Sequence, residues 1–169
     1  MAVSTIVKTK RDGTLTIKDG TSPTPLELVI AYEAGDLSVT VPGPAVNAFL
    51  DRGEFTSTPS LRYGDDQPCT FTFTAYLRHP TDASDEVLLD LLTQSGQIGT
   101  NWNSTLDASG NAEVLAVQMV WTIEGTDHGD SADYSITLNH CVVTGTVSEG
   151  DPSQIQVQGT AYDVFPTVA

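Results

Sequence analysis

Basic residues are scarce in this chain. Seven Lys and Arg stand against 22 Asp and Glu, a formal charge of −15. A surface with that balance has no general grip on phosphate backbones, which excludes an electrostatic nucleic-acid anchor. Cysteine is rare as well. Cys69 and Cys141 are spaced unlike any zinc or redox motif and are too few for a disulfide framework, so two reduced thiols are expected. No apolar run approaches the roughly 18 residues of a membrane span, so no membrane insertion is expected. The opening Met1–Lys8 lacks the apolar stretch of a secretory signal, and folding in cytosol is the expectation.

Catalytic signatures are missing too. There is no P-loop, no Gly-rich dinucleotide fingerprint, no Ser elbow, no His-Glu-x-x-His and no Cys-x-x-Cys. The segment 124–133 gathers acids around His128, and oxygen ligands at such spacing could hold calcium in a small calcium-dependent hydrolase. It lacks the terminal Glu of an EF-hand loop, and Gly, Asp and Ser favour turns for local reasons, so an acidic turn between strands is preferred. His79 and His140 lie too far apart to be read as a pair and are expected to be structural. Neither catalysis nor a metal or other cofactor is expected.

What the chain does have is 23 Thr and 16 Val within 169 residues, with 39% hydrophobic residues. That is enough for one domain with a core, and the composition favours half-buried strands. Apolar and polar residues alternate with period two in several segments. Leu15 and Ile17 alternate with Thr14 and Thr16. Leu26, Leu28, Ile30 and Tyr32 share a face, and Ala34-Gly35-Asp36 then turns into Leu37, Val39 and Val41, which reads as a hairpin. Cys69, Phe71, Phe73, Ala75 and Leu77 are expected to point inward. From Glu113 to Ile123 both faces are apolar enough to be covered. Strands over 134–138, 141–147 and 155–161 complete the set.

One segment follows a helical period. Ser84 suits an N-cap, Asp85 and Glu86 suit the positive helix end, and Val87, Leu88, Leu91 and Leu92 form an apolar stripe that Gly96 ends. The fold class expected is mainly β, a β-sandwich or barrel of antiparallel strands with one flanking helix over about residues 84–95.

Two connections are long. Residues 42–68 carry Phe49, Leu50, Arg52, Phe55 and Tyr63, and part of this loop is compatible with short strand. Residues 96–112 carry Ile98 and Trp102. Loops of this length in compact domains tend to be functional, although loop aromatics also fold back as lids on a core. Charge is uneven along the chain. Lys8, Lys10, Arg11 and Lys18 make the start basic, while the remainder is strongly acidic. Residues 1–12 thus form a basic arm that either stays solvated or docks on the acidic face of an identical neighbour.

The run Asn139 to Pro152, followed by Ser153 to Tyr162, resembles the closing hairpin of tail tube proteins of long-tailed bacteriophages, with Ser148-Glu149-Gly150-Asp151-Pro152 its most specific part. The order of elements is similar over nearly the whole chain. The basic arm and the Trp102 loop have no counterpart in that pattern. The resemblance implies a single tail-tube-like domain over residues 1–169, related in fold to the inner tubes of contractile tails and type VI secretion systems. It implies a non-enzymatic virion protein, assembled in the host cytoplasm as stacked hexameric rings with other tail proteins. Through this tube DNA passes during ejection without specific binding.

On that reading Phe49, Leu50, Arg52 and Phe55 are candidates for ring-to-ring packing. Lys8, Lys10 and Arg11 are candidates for contacts with the adjacent copy, and Trp102 for a loop contact. A net negative lumen would repel phosphate. The alternative is a monomeric sandwich module binding carbohydrate or protein through loop residues such as Trp102, Tyr63 and Asn103.

Overall fold

Leu15 and Ile17, the apolar half of the alternation in β1 (Gly13–Lys18), are 0% and 1% exposed, and this strand sets the face on which the core is built. The computed structural model describes residues 13–30, 36–49, 60–78, 86–129, 131–163 and 167–168. The other strands are β2 (Glu27–Ile30), β3 (Ser38–Thr40), β4 (Val46–Phe49), β5 (Ser60–Tyr63), β6 (Cys69–Tyr76), β7 (Val117–Ile123), β8 (Tyr134–Ser148), β9 (Gln154–Ala161) and β10 (Thr167–Val168). Eight of them form one antiparallel sheet in the order β2-β1-β7-β8-β9-β6-β3, with β10 pairing β8. β4 and β5 form a separate two-stranded sheet. The fold is mainly β, as the alternation indicates.

The expected hairpin from Leu26 to Val41 does not form. β2 pairs β1 and β3 pairs β6, so the two segments occupy opposite edges of the sheet. The short link between Ile30 and Asp36 has a different consequence. Seven strands laid flat would hold the two edges about 29 Å apart. The five intervening residues span at most about 21 Å between those Cα atoms, so the sheet curls on itself. Accordingly, Leu28 and Ile30 of β2 line one cavity, of about 120 Å³, with Ala75 of β6 and Ile155 of β9. The Thr74 N–H also reaches across to Asp36 Oδ1 at 2.9 Å.

The concave face of the curl holds the core. Phe71, Phe73, Met119, Leu138, Ile155 and Val157 are each at most 2% exposed. Leu77, expected inward, lies past the end of β6 and is 41% exposed. The strand expected from Glu113 begins only at Val117; Val114 is left at the surface, while Ala116 is buried and its C=O accepts the Thr105 N–H at 2.8 Å. The segments expected over 134–138 and 141–147 are one strand, β8, with a register shift against β7. His140 sits at that shift with φ 51, a conformation uncommon outside Gly.

Two short helices replace the single one expected. α1 (Leu88–Thr93) buries Leu88 and Leu91, and α2 (Gly96–Asn101) buries Ile98. The N-cap position is Val87, with no side-chain cap; Ser84 and Asp85 lie outside the described residues. Gly96 starts α2 and does not end α1, because Gln94 (φ 51) already turns the chain and Gly96 follows with φ 59. Gly96 holds φ 59, where a side chain is strained, and a Cβ there would also displace the Asp90 carboxylate, 2.2 Å away, so Gly favours this close helix-to-helix turn. No helix among the described residues is long and apolar enough to cross a membrane.

Candidate functional site

β4 and β5 pair with Val46 opposite Tyr63, Asn47 opposite Arg62, Ala48 opposite Leu61 and Phe49 opposite Ser60. Directly opposed residues point to the same side of a ribbon. One side therefore carries only Val46, Ala48, Leu61 and Tyr63, and the other carries Asn47, Phe49, Ser60 and Arg62. All eight residues are exposed. Val46 is 58%, Leu61 63% and Tyr63 79% exposed. The ladder extends by one bond, Gly64 N–H to Ala45 C=O at 2.6 Å. This ribbon occupies part of the long loop over 42–68.

The ribbon redistributes the residues that the sequence singles out. Phe49 is exposed, but it shares the polar side with Arg62. Leu50, Arg52 and Phe55 lie outside the described residues, as do Lys8, Lys10 and Arg11 of the basic arm. The wholly apolar side belongs to Val46, Leu61 and Tyr63. A period-two reading of Val46-Asn47-Ala48-Phe49 and Leu61-Arg62-Tyr63 is the signal that finds it.

Trp102 is drawn inward. It is 7% exposed, and its Nε1–H donates to Glu86 Oε1 at 2.8 Å. The indole is a lid on the core, which leaves it no face for a loop contact or for stacking on a sugar. Next to it a buried carboxylate, unforeseen in the sequence, ties two loops together. Asp19 is 4% exposed. It accepts the Leu26 N–H at 2.7 Å, the Asn103 N–H at 3.0 Å, the Thr21 N–H at 3.1 Å and the Thr21 hydroxyl. Gly20 N–H donates to the Asn103 carbonyl at 2.8 Å, and a Cβ on Gly20 would lie 2.1 Å from the Ser104 carbonyl oxygen. Asn103 is thus occupied by this staple.

The acidic segment after β7 behaves as a turn. Thr126–His128 form one 3₁₀ turn, and Asp133 Oδ1 accepts Gly125 N–H at 2.9 Å, Thr126 N–H at 3.1 Å and the Thr126 hydroxyl at 2.9 Å. Among the described residues no group of three or more His, Cys, Asp or Glu is placed to hold a metal. His79 is outside them; His140 meets the Thr105 hydroxyl through Nδ1 at 3.1 Å.

Cys69 and Cys141 both lie opposite Ala161, one on each side of β9. They stand two strand spacings apart, about 10 Å, beyond the roughly 7 Å that a disulfide tolerates. Both are 0% exposed. Burial, opposed by a backbone hydrogen bond and reinforced by Cys69 and Asp163, pushes the Cys141 thiol from 9.0 up to about 12. Burial, with Asp163 behind it, raises Cys69 as well. These are inert core thiols.

The closing segment is a hairpin. β8 and β9 pair from Cys141 opposite Ala161 to Ser148 opposite Gln154, and Glu149 to Ser153 form the turn.

No known family profile matches the chain, and no curated protein does. Among solved structures, a chain in the cryo-EM structure of the anti-feeding prophage baseplate, six-fold symmetrised, is similar with a TM-score of 0.53 at 11% identity. The match covers 100% of this chain and 97% of that one. At this identity the likeness is one of fold.

Proposed function

We propose that this chain is a structural subunit of a phage-tail-like particle, assembling with copies of itself into hexameric rings stacked as a tail tube. The observation that carries the reading is the end-to-end likeness of fold to a chain built into a six-fold symmetric baseplate. Other tail proteins are its further partners, and the tube is a conduit for DNA ejection. The protein catalyses nothing.

The ribbon supplies a means of assembly. A two-stranded hairpin is at best marginally stable alone in water, and a contiguous exposed apolar face marks an interaction surface. Val46, Leu61 and Tyr63 are covered by a neighbouring copy in the polymer. Phe49 and Arg62 on the opposite side, with Leu50, Arg52 and Phe55 beyond, complete the ring-to-ring contact. Lys8, Lys10 and Arg11 pair with acids of the adjacent copy. The monomeric binding module has less support, since Trp102 and Asn103 are both engaged inside the protomer.

Negative-stain microscopy of the purified full chain tests the proposal, with rings or tubes expected. Leu61→Ser with Tyr63→Ser, and separately Phe49→Ser with Phe55→Ser, are expected to leave a folded monomer that builds no tubes. Reversal of Lys8, Lys10 and Arg11 to Glu is expected to weaken assembly, most clearly at low salt. Featureless monomers of the unaltered chain at high concentration would overturn the reading.

A further inference from the structure

The strands of the eight-stranded sheet contain one Lys and one acidic residue, Lys18 and Glu27, and these pair with each other at 2.6 Å. The charge of −15 is therefore carried outside the main sheet. The ion pair lies on β1 and β2. The opposite half of the sheet, over β3, β6, β9 and the second half of β8, has no Lys, Arg, Asp or Glu at all.

On the convex face of this half, the register aligns Thr72 with Gln158 and Thr144, and Thr74 with Gln156 and Thr146. Five of these six residues, all but Thr144, line a concavity of about 310 Å³, bordered among the described residues by a single acid, Asp36, which is held at one edge by the Thr74 N–H. Five of the six residues are exposed, Thr74 being half-buried. The convex positions of the other half, such as Thr16, Gln118, Val120 and Thr137, are half-buried.

We infer that the Thr and Gln face of β6, β9 and β8 is the wall that faces a passing polyanion such as duplex DNA. The inference rests on the tube reading above and adds which strands line the bore and why they are inert. Binding of a polyanion is dominated by cations that displace its counterions, and this face offers none. It also carries almost no fixed negative charge, so it neither holds phosphate nor opposes its entry. Inertness thus comes from neutrality and not, as the overall charge indicates, from a negative lumen. β9, the middle strand of the face, is paired along its whole length with both β6 and β8.

The test uses Gln156→Cys and Thr144→Cys in the full chain, where Cys69 and Cys141 are buried and unreactive. Each variant is treated with a small maleimide and with a maleimide carried on a particle too large for the bore, before and after polymerisation. The expected result is that both reagents label the dispersed protein, while only the small one labels the polymer. In parallel, polymers of Gln156→Lys with Gln158→Lys are expected to retain duplex DNA at low salt and to release it as salt rises, whereas unaltered polymers retain none. Labelling of the polymer by the large reagent would place the face outside and overturn the wall. Loss of both labels would make it a contact between copies and overturn it equally. Failure of the unaltered chain to polymerise would remove the tube reading itself, a result distinct from either.

Discussion

Val46, Ala48, Leu61 and Tyr63 share one side of a strand pair by the same period-two rule that puts Cys69, Phe71, Phe73 and Ala75 on one side of β6, yet Tyr63 is 79% exposed and Phe73 only 2%. The two regions share one local rule and meet opposite environments. Period two decides which residues share a side of a strand. Whether that side is covered depends on what stands opposite it. In the main sheet the curl places β6 and β9 against β1, β2 and the helices. The apolar side of the ribbon stays exposed at Val46, Leu61 and Tyr63, and on the proposed reading it is the surface that a neighbouring copy covers.

Substitutions that separate the two regions sharpen this comparison. Phe73→Ala leaves a void in the closed core and is expected to cost about 3–5 kcal/mol in urea unfolding. A cost below about 1 kcal/mol would mean that the curl is not tightly packed. Next in size, Asp19→Ala strands the Leu26 and Asn103 N–H groups and is expected to cost about 2–3 kcal/mol. Asp19→Asn is expected to recover part of that, since its carbonyl can still accept, and equal losses in the two variants would remove the staple as their cause.

The buried thiols give a pH signature confined to the core. Below pH 9 they are neutral in folded and unfolded chains alike, and their contribution is fully present. Between 9.0 and about 12 the unfolded chain ionises while Cys141 in the fold does not. Stability then falls by on the order of 1 kcal/mol per pH unit. Cys141→Ala is expected to reduce that slope in denaturation measured across this range; an unchanged slope would assign it to other groups. The smallest effect belongs to the ribbon. Leu61→Ala is expected to shift protomer stability by less than about 0.5 kcal/mol while reducing polymer yield. A large loss of protomer stability would show that the ribbon is part of the core after all.

Much of the sheet is legible residue by residue. Leu15 and Ile17, Cys69 to Ala75, and Ile155 with Val157 point inward as their alternation requires, and the β8–β9 hairpin follows from its turn residues. The link through Ala34 to Asp36 misleads, because a short Gly-containing connection signals a turn but not which strands it joins. Here it bridges two edges brought together by the curl. Gly96 misleads in a related way: Gly at positive φ serves the start of a tightly packed second helix as well as the end of a first. Trp102 and Asp19 are invisible in role, since a loop aromatic and a turn Asp look alike whether they face water or Leu26 and Asn103.

The amino-acid order by itself determined the strand chemistry of this protein, the absence of a catalytic signature and the uneven charge along the chain. These follow from backbone geometry and side-chain type within a few residues. Only the tertiary structure decided that β2 and β3 sit at opposite edges, that Trp102 is buried, and that Val46, Leu61 and Tyr63 are left uncovered. Those outcomes depend on partners distant along the chain, whose encounter is governed by loop closure and by the closing of the whole core.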